Sequence, residues 1–77
     1  MAAMLMAGEV LDLYFLETRA KLLEIAANLD RFDRAVDAEG RRGDARLAFV
    51  KEALAILSEP AAGADRAERI QRLYSLS

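Results

Sequence analysis

The chain has 77 residues, of which 55% are hydrophobic and 31% charged, with a net charge of −2 and no histidine, cysteine or tryptophan. The absence of histidine and cysteine excludes catalytic triads, cysteine nucleophiles, zinc sites built from those ligands and disulfide bonds. A chain this short holds one domain, so we predict a single helical domain over residues 1–77. Because so small a domain buries little of its surface, self-association is the remaining common way to stabilise it.

The first seven residues are apolar but carry no basic residue, and Glu9 and Asp12 interrupt the run before the roughly 18–20 residues that a membrane span needs. We expect neither a signal peptide nor a membrane segment, and we expect a cytoplasmic location. The 16 alanines and the excess of nine arginines over two lysines favour a bacterial source.

A long first helix is predicted from about Gly8 to Ala38, with its end near Glu39 and Gly40, where glycine can adopt the left-handed conformation. Apolar residues recur in it with alternating steps of four and three residues, which is the pattern of a heptad seam. The seam consists of Leu11, Phe15, Thr18, Leu22, Ile25, Leu29, Phe32 and Val36.

A second helix is predicted from the capping residue Asp44 to Ser58, where Pro60 biases Glu59 away from helical geometry. Its apolar face holds Leu47, Val50, Leu54 and Leu57, widened by Phe49, Ala53 and Ile56.

A third helix is predicted from Asp65, with Glu68 completing a capping box and with Ile70, Leu73 and Tyr74 facing inward. The last two helices together match the first in length, so we expect them to pack back along it as a helical hairpin. The predicted fold is all-α, a three-helix chain with a long first helix that forms a dimeric helical bundle.

The first helix carries a second apolar stripe on the side away from the seam. We call this stripe the second face. A helix that is apolar on two sides must be covered on two sides, so the second face is the predicted homodimer interface. The alternative is that the third helix covers the stripe within one chain. The second face consists of Leu13, Leu16, Ala20, Leu23 and Ala27.

Glu17 and Glu24 lie seven residues apart on one side of the first helix, a spacing found in carboxylate-bridged metal bundles. Those bundles also use histidine, and Glu17 has Lys21 four residues later, so we interpret the carboxylates as a solvated surface. We expect no metal ion and no cofactor.

Arginines crowd the first turn between helices, but acidic residues alternate with them and leave the stretch nearly neutral. The third helix adds a small basic stripe, Arg66, Arg69 and Arg72, which we interpret as solubilising, with the docking of an acidic partner as the alternative. With a net charge of −2, the chain is not expected to bind nucleic acid.

About twenty residues, with Leu11-Asp12, Phe15-Leu16 and Arg19-Ala20-Lys21-Leu22, resemble the first helix of the all-helical chorismate mutases. Those enzymes are short three-helix chains that intertwine as dimers. The resemblance implies a substrate-binding role for Arg19, but the lysine expected about eleven residues later is Asp30 here. The arginine–glutamate pair of the second helix is also missing, and Gln71 matches the late polar residue only loosely.

We therefore predict no catalytic, cofactor-binding or metal-binding residues. The predicted function is that of a small non-enzymatic accessory protein that acts through protein–protein interaction as a homodimer. Two alternatives remain: a bundle that holds a small apolar ligand between its chains, and a chorismate-mutase-like enzyme.

Overall fold

The computed structural model describes residues 4–60 and 63–76, with side chains as far as residue 73. Three α-helices and one short 3-10 helix make up the regular structure of these residues, and no strand occurs among them. The α-helices are α1 (Ala7–Arg34), α2 (Ala45–Ser58) and α3 (Arg66–Leu76), and the 3-10 helix spans Ala38–Arg41. The all-helical, three-helix prediction is confirmed.

Helix α1 contains 28 residues, which corresponds to about 42 Å. Its first turn is closed by Glu9, whose carboxylate accepts a hydrogen bond from the Met6 backbone N–H at 2.8 Å. That contact satisfies one amide that a helix start leaves unpaired and places a negative charge at the positive end of the helix dipole. Apolar residues with high helix propensity then carry α1 forward without glycine or proline after Gly8.

The predicted end of the first helix, at Ala38, is wrong by four residues. Helix α1 ends at Arg34, and Ala35 is already extended, with φ −67° and ψ 145°. Ending there leaves Arg31 and Arg34 in the last turn, where positive charge is favourable, whereas four more residues would add Asp37 at the negative end of the dipole. As a result Val36, predicted as the last seam residue, is fully exposed.

Gly40 does not adopt the left-handed conformation that the sequence suggests. It lies inside the 3-10 helix Ala38–Arg41, and no glycine that the structure describes has a positive φ. The residue that does is Ala64, with φ 52°. The tight backbone position therefore lies just before α3, on a residue that carries a Cβ.

Helix α2 begins and ends as predicted. Asp44 precedes it, and its carboxylate accepts from the Arg46 backbone N–H at 2.8 Å. At the other end Glu59 is extended, with φ −73° and ψ 144°, as expected for a residue before proline. Ile56 is buried and most of the predicted apolar face is half-buried, but Leu57, on the same face, is 42% exposed.

Helix α3 follows Asp65 and packs against α2. The Asp65 carbonyl accepts from the Arg69 N–H at 3.0 Å, while the Glu68 carboxylate pairs with Arg72 at 2.7 Å instead of closing a capping box. Ile70 and Leu73 are half-buried, as predicted. The prediction for Tyr74 lies outside the residues whose side chains are described.

The chain divides into two compact units, Met1–Ala38 and Glu39–Ser77. The first unit contains α1, and the second contains α2 and α3 in mutual contact. Among the described residues only Ala38 and Ile56 are buried hydrophobic residues, and each keeps a few per cent of its surface exposed. The single domain and the helical hairpin both stay predictions.

Candidate functional site

The second face is a single continuous surface, because α1 runs unbroken through all five of its residues. At about 100° per residue the five side chains fall within an arc of roughly 80°, on the opposite side of the helix from the seam. The exposed fractions are 64% for Leu13, 77% for Leu16 and 53% for Leu23. Ala20 is exposed as well, and Ala27 is half-buried.

The N-terminal part of the seam is also exposed, which the sequence does not predict. Leu11 is 63% exposed, Phe15 55% and Leu22 51%, whereas Ile25, Leu29 and Phe32 further along are half-buried. No residue of α1 is fully buried. The first two-thirds of α1 therefore presents apolar side chains on two opposite sides in the single chain.

Charged residues separate these two sides. Glu17 and Lys21 form an ion pair at 2.6 Å on one flank, and Asn28 accepts a hydrogen bond from Arg31 at 2.6 Å nearby. Lys21 holds the pKa of Glu17 below its usual value, and Glu17 raises the pKa of Lys21, chiefly through their hydrogen bond. The prediction that Glu17 and Lys21 form a surface pair is confirmed.

Carboxylates on the described residues do not gather into a group of three or more that could hold a metal ion. Glu17 is already engaged by Lys21, and both side chains are largely exposed. The chemistry that α1 offers along this flank is that of a solvated ion pair.

The segment between α1 and α2 contains ion pairs, as its alternating charges predict. Arg42 lies 3.2 Å from Glu39, and Arg46 lies 2.9 Å from Asp44. Side-chain and backbone hydrogen bonds from Arg46 hold the pKa of the Asp44 carboxyl far below its usual value. Asp44 thus acts as both a helix cap and an ion-pair partner.

The predicted basic stripe of α3 is not a free patch. Arg69 lies 2.9 Å from the Glu59 carboxylate, and Arg66 donates to the Glu59 backbone carbonyl at 2.7 Å. Arg72 pairs with Glu68 within α3. These arginines stabilise the α2–α3 unit, a role that sequence reasoning missed because Glu59 lies across the Pro60 connector from them.

The two residues of α1 compared with chorismate mutases are both exposed. Arg19 makes no ion pair with any residue that the structure describes, and Asp30 stands where the expected lysine would be. Gln71 is exposed on α3. Mutase activity stays a prediction, as does the binding of an apolar ligand between two chains.

Within the described residues, no helix combines the length and the apolar character that crossing a bilayer requires. Comparison of the chain with protein-family models, curated proteins and solved structures found no significant match.

Proposed function

We propose that this protein is a non-enzymatic homodimer that serves as a protein–protein interaction or accessory module, and that its two copies meet along the second face of α1. The exposure of three leucines on this face supports the proposal most directly. Soluble chains rarely leave a contiguous apolar stripe of this kind uncovered, and such stripes mark interaction surfaces.

The composition of the second face suits contact between two helices. Ala20 lies between Leu16 and Leu23, and Ala27 follows Leu23. These small side chains allow close approach of a second helix backbone. Full burial of a leucine side chain contributes roughly 1.5–3 kcal/mol. The free energy of burying three leucines from each chain is then of the order of the association cost, which is roughly 4–15 kcal/mol. The second face is therefore large enough to support a dimer.

The small number of buried residues also favours association with a second copy. Only two hydrophobic residues are buried among the residues that the structure describes. No cysteine is present to form a disulfide, so association remains the means of burying more apolar surface. The cytoplasmic location and the bacterial source stay predictions.

Sedimentation equilibrium on the full chain at micromolar concentration tests the proposal. We expect a mass of twice 8.5 kDa for the unaltered protein. Leu16→Glu places a charge at the most exposed leucine of the face, so we expect it to return the mass to one chain while the far-ultraviolet circular dichroism stays helical.

Asn28→Glu is the matched control. It adds the same charge to the polar flank of α1 and keeps an oxygen acceptor for Arg31, so we expect it to leave the dimer intact. A single-chain mass for the unaltered protein, or an unchanged dimer for Leu16→Glu, would contradict the proposal.

A further inference from the structure

The two ends of the second face carry opposite charges. Glu9 lies one helical turn before Leu13, and Arg34 lies two turns after Ala27, both in register with the face. Both side chains are exposed. Glu9 accepts the Met6 N–H with one carboxylate oxygen, and Arg34 makes no ion pair with the part of the chain that the structure describes. In a parallel pair of α1 helices, each of these charges would face its own copy. In an antiparallel pair, Glu9 faces the partner's Arg34.

The sizes of the side chains favour the same direction. The register that places Glu9 opposite the partner's Arg34 also places Leu16 opposite the partner's Ala27 and Ala20 opposite the partner's Leu23. Each central layer then pairs a large side chain with a small one, which keeps the spacing between the helices even. A parallel pair would stack leucine on leucine and alanine on alanine. In the antiparallel register Leu13 lies opposite the partner's Asp30, in the layer between the end charges and the central layers.

The flanking charges form different pairs in the two directions. The antiparallel register brings Glu17 beside the partner's Glu24, and Lys21, which lies 2.6 Å from Glu17, offsets this repulsion. The parallel pair would bring Arg19 beside the partner's Glu24, which is favourable but exposed and therefore weak. Asp12 meets another carboxylate in either direction, so it does not discriminate.

From the end charges and the side-chain sizes we infer that the partner of the second face is a second copy of α1 in antiparallel orientation, in the register set by Glu9 and the partner's Arg34. This inference rests on the homodimer proposed above. It assigns Glu9 and Arg34 as the residues that determine the orientation, and Ala20 and Ala27 as the positions that receive the partner's leucines.

Disulfide trapping tests the orientation. Because the chain has no native cysteine, any disulfide must form between the introduced cysteines. Glu9→Cys and Arg34→Cys are prepared separately, checked for dimer mass by sedimentation, mixed, and oxidised in a glutathione buffer. A disulfide needs Cα atoms within about 7 Å. In the antiparallel register Glu9 lies about 37 Å along the helix from the partner's Glu9. Intact-mass spectrometry should therefore find the mixed disulfide, with neither variant linking to itself.

Self-linking of Glu9→Cys would show a parallel pair and overturn the inference, as would the absence of any link in a sample that sediments as a dimer. A single-chain mass before oxidation identifies failure of the homodimer itself, so the two failures are distinguishable.

Charge exchange provides a second measurement that does not depend on cysteine. We expect Glu9→Arg to weaken the dimer about tenfold by placing two like charges at each end, and Glu9→Arg with Arg34→Glu to restore the affinity. A parallel pair would keep like charges facing each other in every variant. No change in affinity for Glu9→Arg would therefore overturn the inference.

Discussion

The Glu59 carboxylate and the Arg69 guanidinium form an ion pair, with Oε2 and Nη1 2.9 Å apart, that joins the end of α2 to the first turn of α3. Arg66 adds a hydrogen bond to the Glu59 backbone carbonyl at 2.7 Å. Glu59 is thus held by both its side chain and its main chain. Glu59 therefore links the end of α2 to the start of α3 through two contacts.

Removing the charge of Glu59 should loosen the α2–α3 unit. Glu59→Gln keeps the backbone carbonyl that Arg66 contacts and removes the ion pair to Arg69, in which the two side chains are about half-exposed. We expect the free energy of unfolding to fall by about 0.5–1 kcal/mol in urea titrations followed by circular dichroism. Glu68→Gln is the control, because its pair with Arg72 lies within α3 and is more exposed. An equal loss in both variants would contradict a special role for Glu59.

Ala64 is the described residue whose backbone conformation disfavours its side chain. Its φ of 52° lies in the left-handed region, where a Cβ costs about 1–2 kcal/mol. We expect Ala64→Gly to raise the free energy of unfolding by about 0.5–1 kcal/mol, since the relieved strain exceeds the added chain entropy of glycine. Gly63→Ala is the control. A Cβ at Gly63 meets the Asp65 carboxyl at an ordinary 3.7 Å, so no loss is expected there. Destabilisation by Ala64→Gly would contradict the claim that the backbone at Ala64 is strained.

A substitution at Gly40 distinguishes the helix end expected from the sequence from the 3-10 conformation in the structure. If Gly40 ended the first helix in the left-handed conformation, Gly40→Ala would be destabilising. In the 3-10 helix its φ is not positive, and an added Cβ meets no atom within 4 Å. We therefore expect Gly40→Ala to be neutral or to stabilise by about 0.4–1 kcal/mol through the unfolded chain. A thermal midpoint well below that of the unaltered protein would contradict this.

The stability contributed by Asp44 should depend on pH with a definite sign. Arg46 lowers the pKa of the Asp44 carboxyl from 3.8 in the folded chain, so the charged form is the one that stabilises. That contribution is complete above about pH 4, the usual pKa of the unfolded carboxyl, and it is lost as the pH falls toward the folded value.

Asp44→Asn isolates this effect, because asparagine is an equally good helix cap without the charge. We expect the variant to have a lower thermal midpoint than the unaltered protein at pH 7, and we expect the gap to narrow steadily below pH 4. A gap independent of pH would contradict the assignment to the Asp44 ionisation. Glu52→Gln is the control for a simple change in net charge, since it also removes one negative charge but lies on an exposed position outside the turn.

The ends of a helix are well predicted where neighbouring residues set them. Asp44 and Pro60 bound α2 as expected, because a capping carboxylate and a proline act on neighbouring backbone groups. The end of α1 was missed because glycine is only one of several ways to end a helix, and here the charges of Arg34 and Asp37 relative to the helix dipole favour an earlier end.

The sequence predicts which residues form the second face, but it does not predict how exposed the side chains of α1 are. A repeat of 3.6 residues per turn is enough to place Leu13, Leu16 and Leu23 on one side of a helix. It does not say that Leu11 and Phe15, on the opposite side, are also more than half-exposed. Exposure depends on what lies next to a side chain in space, and periodicity carries no such information.

By itself the sequence determined the helical class, the residues of each α-helix to within a few positions, the ion pair between Glu17 and Lys21, and the chemistry that a chain without histidine or cysteine lacks. All of these depend on composition or on contacts within about one helical turn. Only the tertiary structure assigned the double contact of Glu59 with Arg66 and Arg69, and the left-handed backbone at Ala64. These features depend on the packing of α3 against α2, which contacts between residues distant in the chain decide.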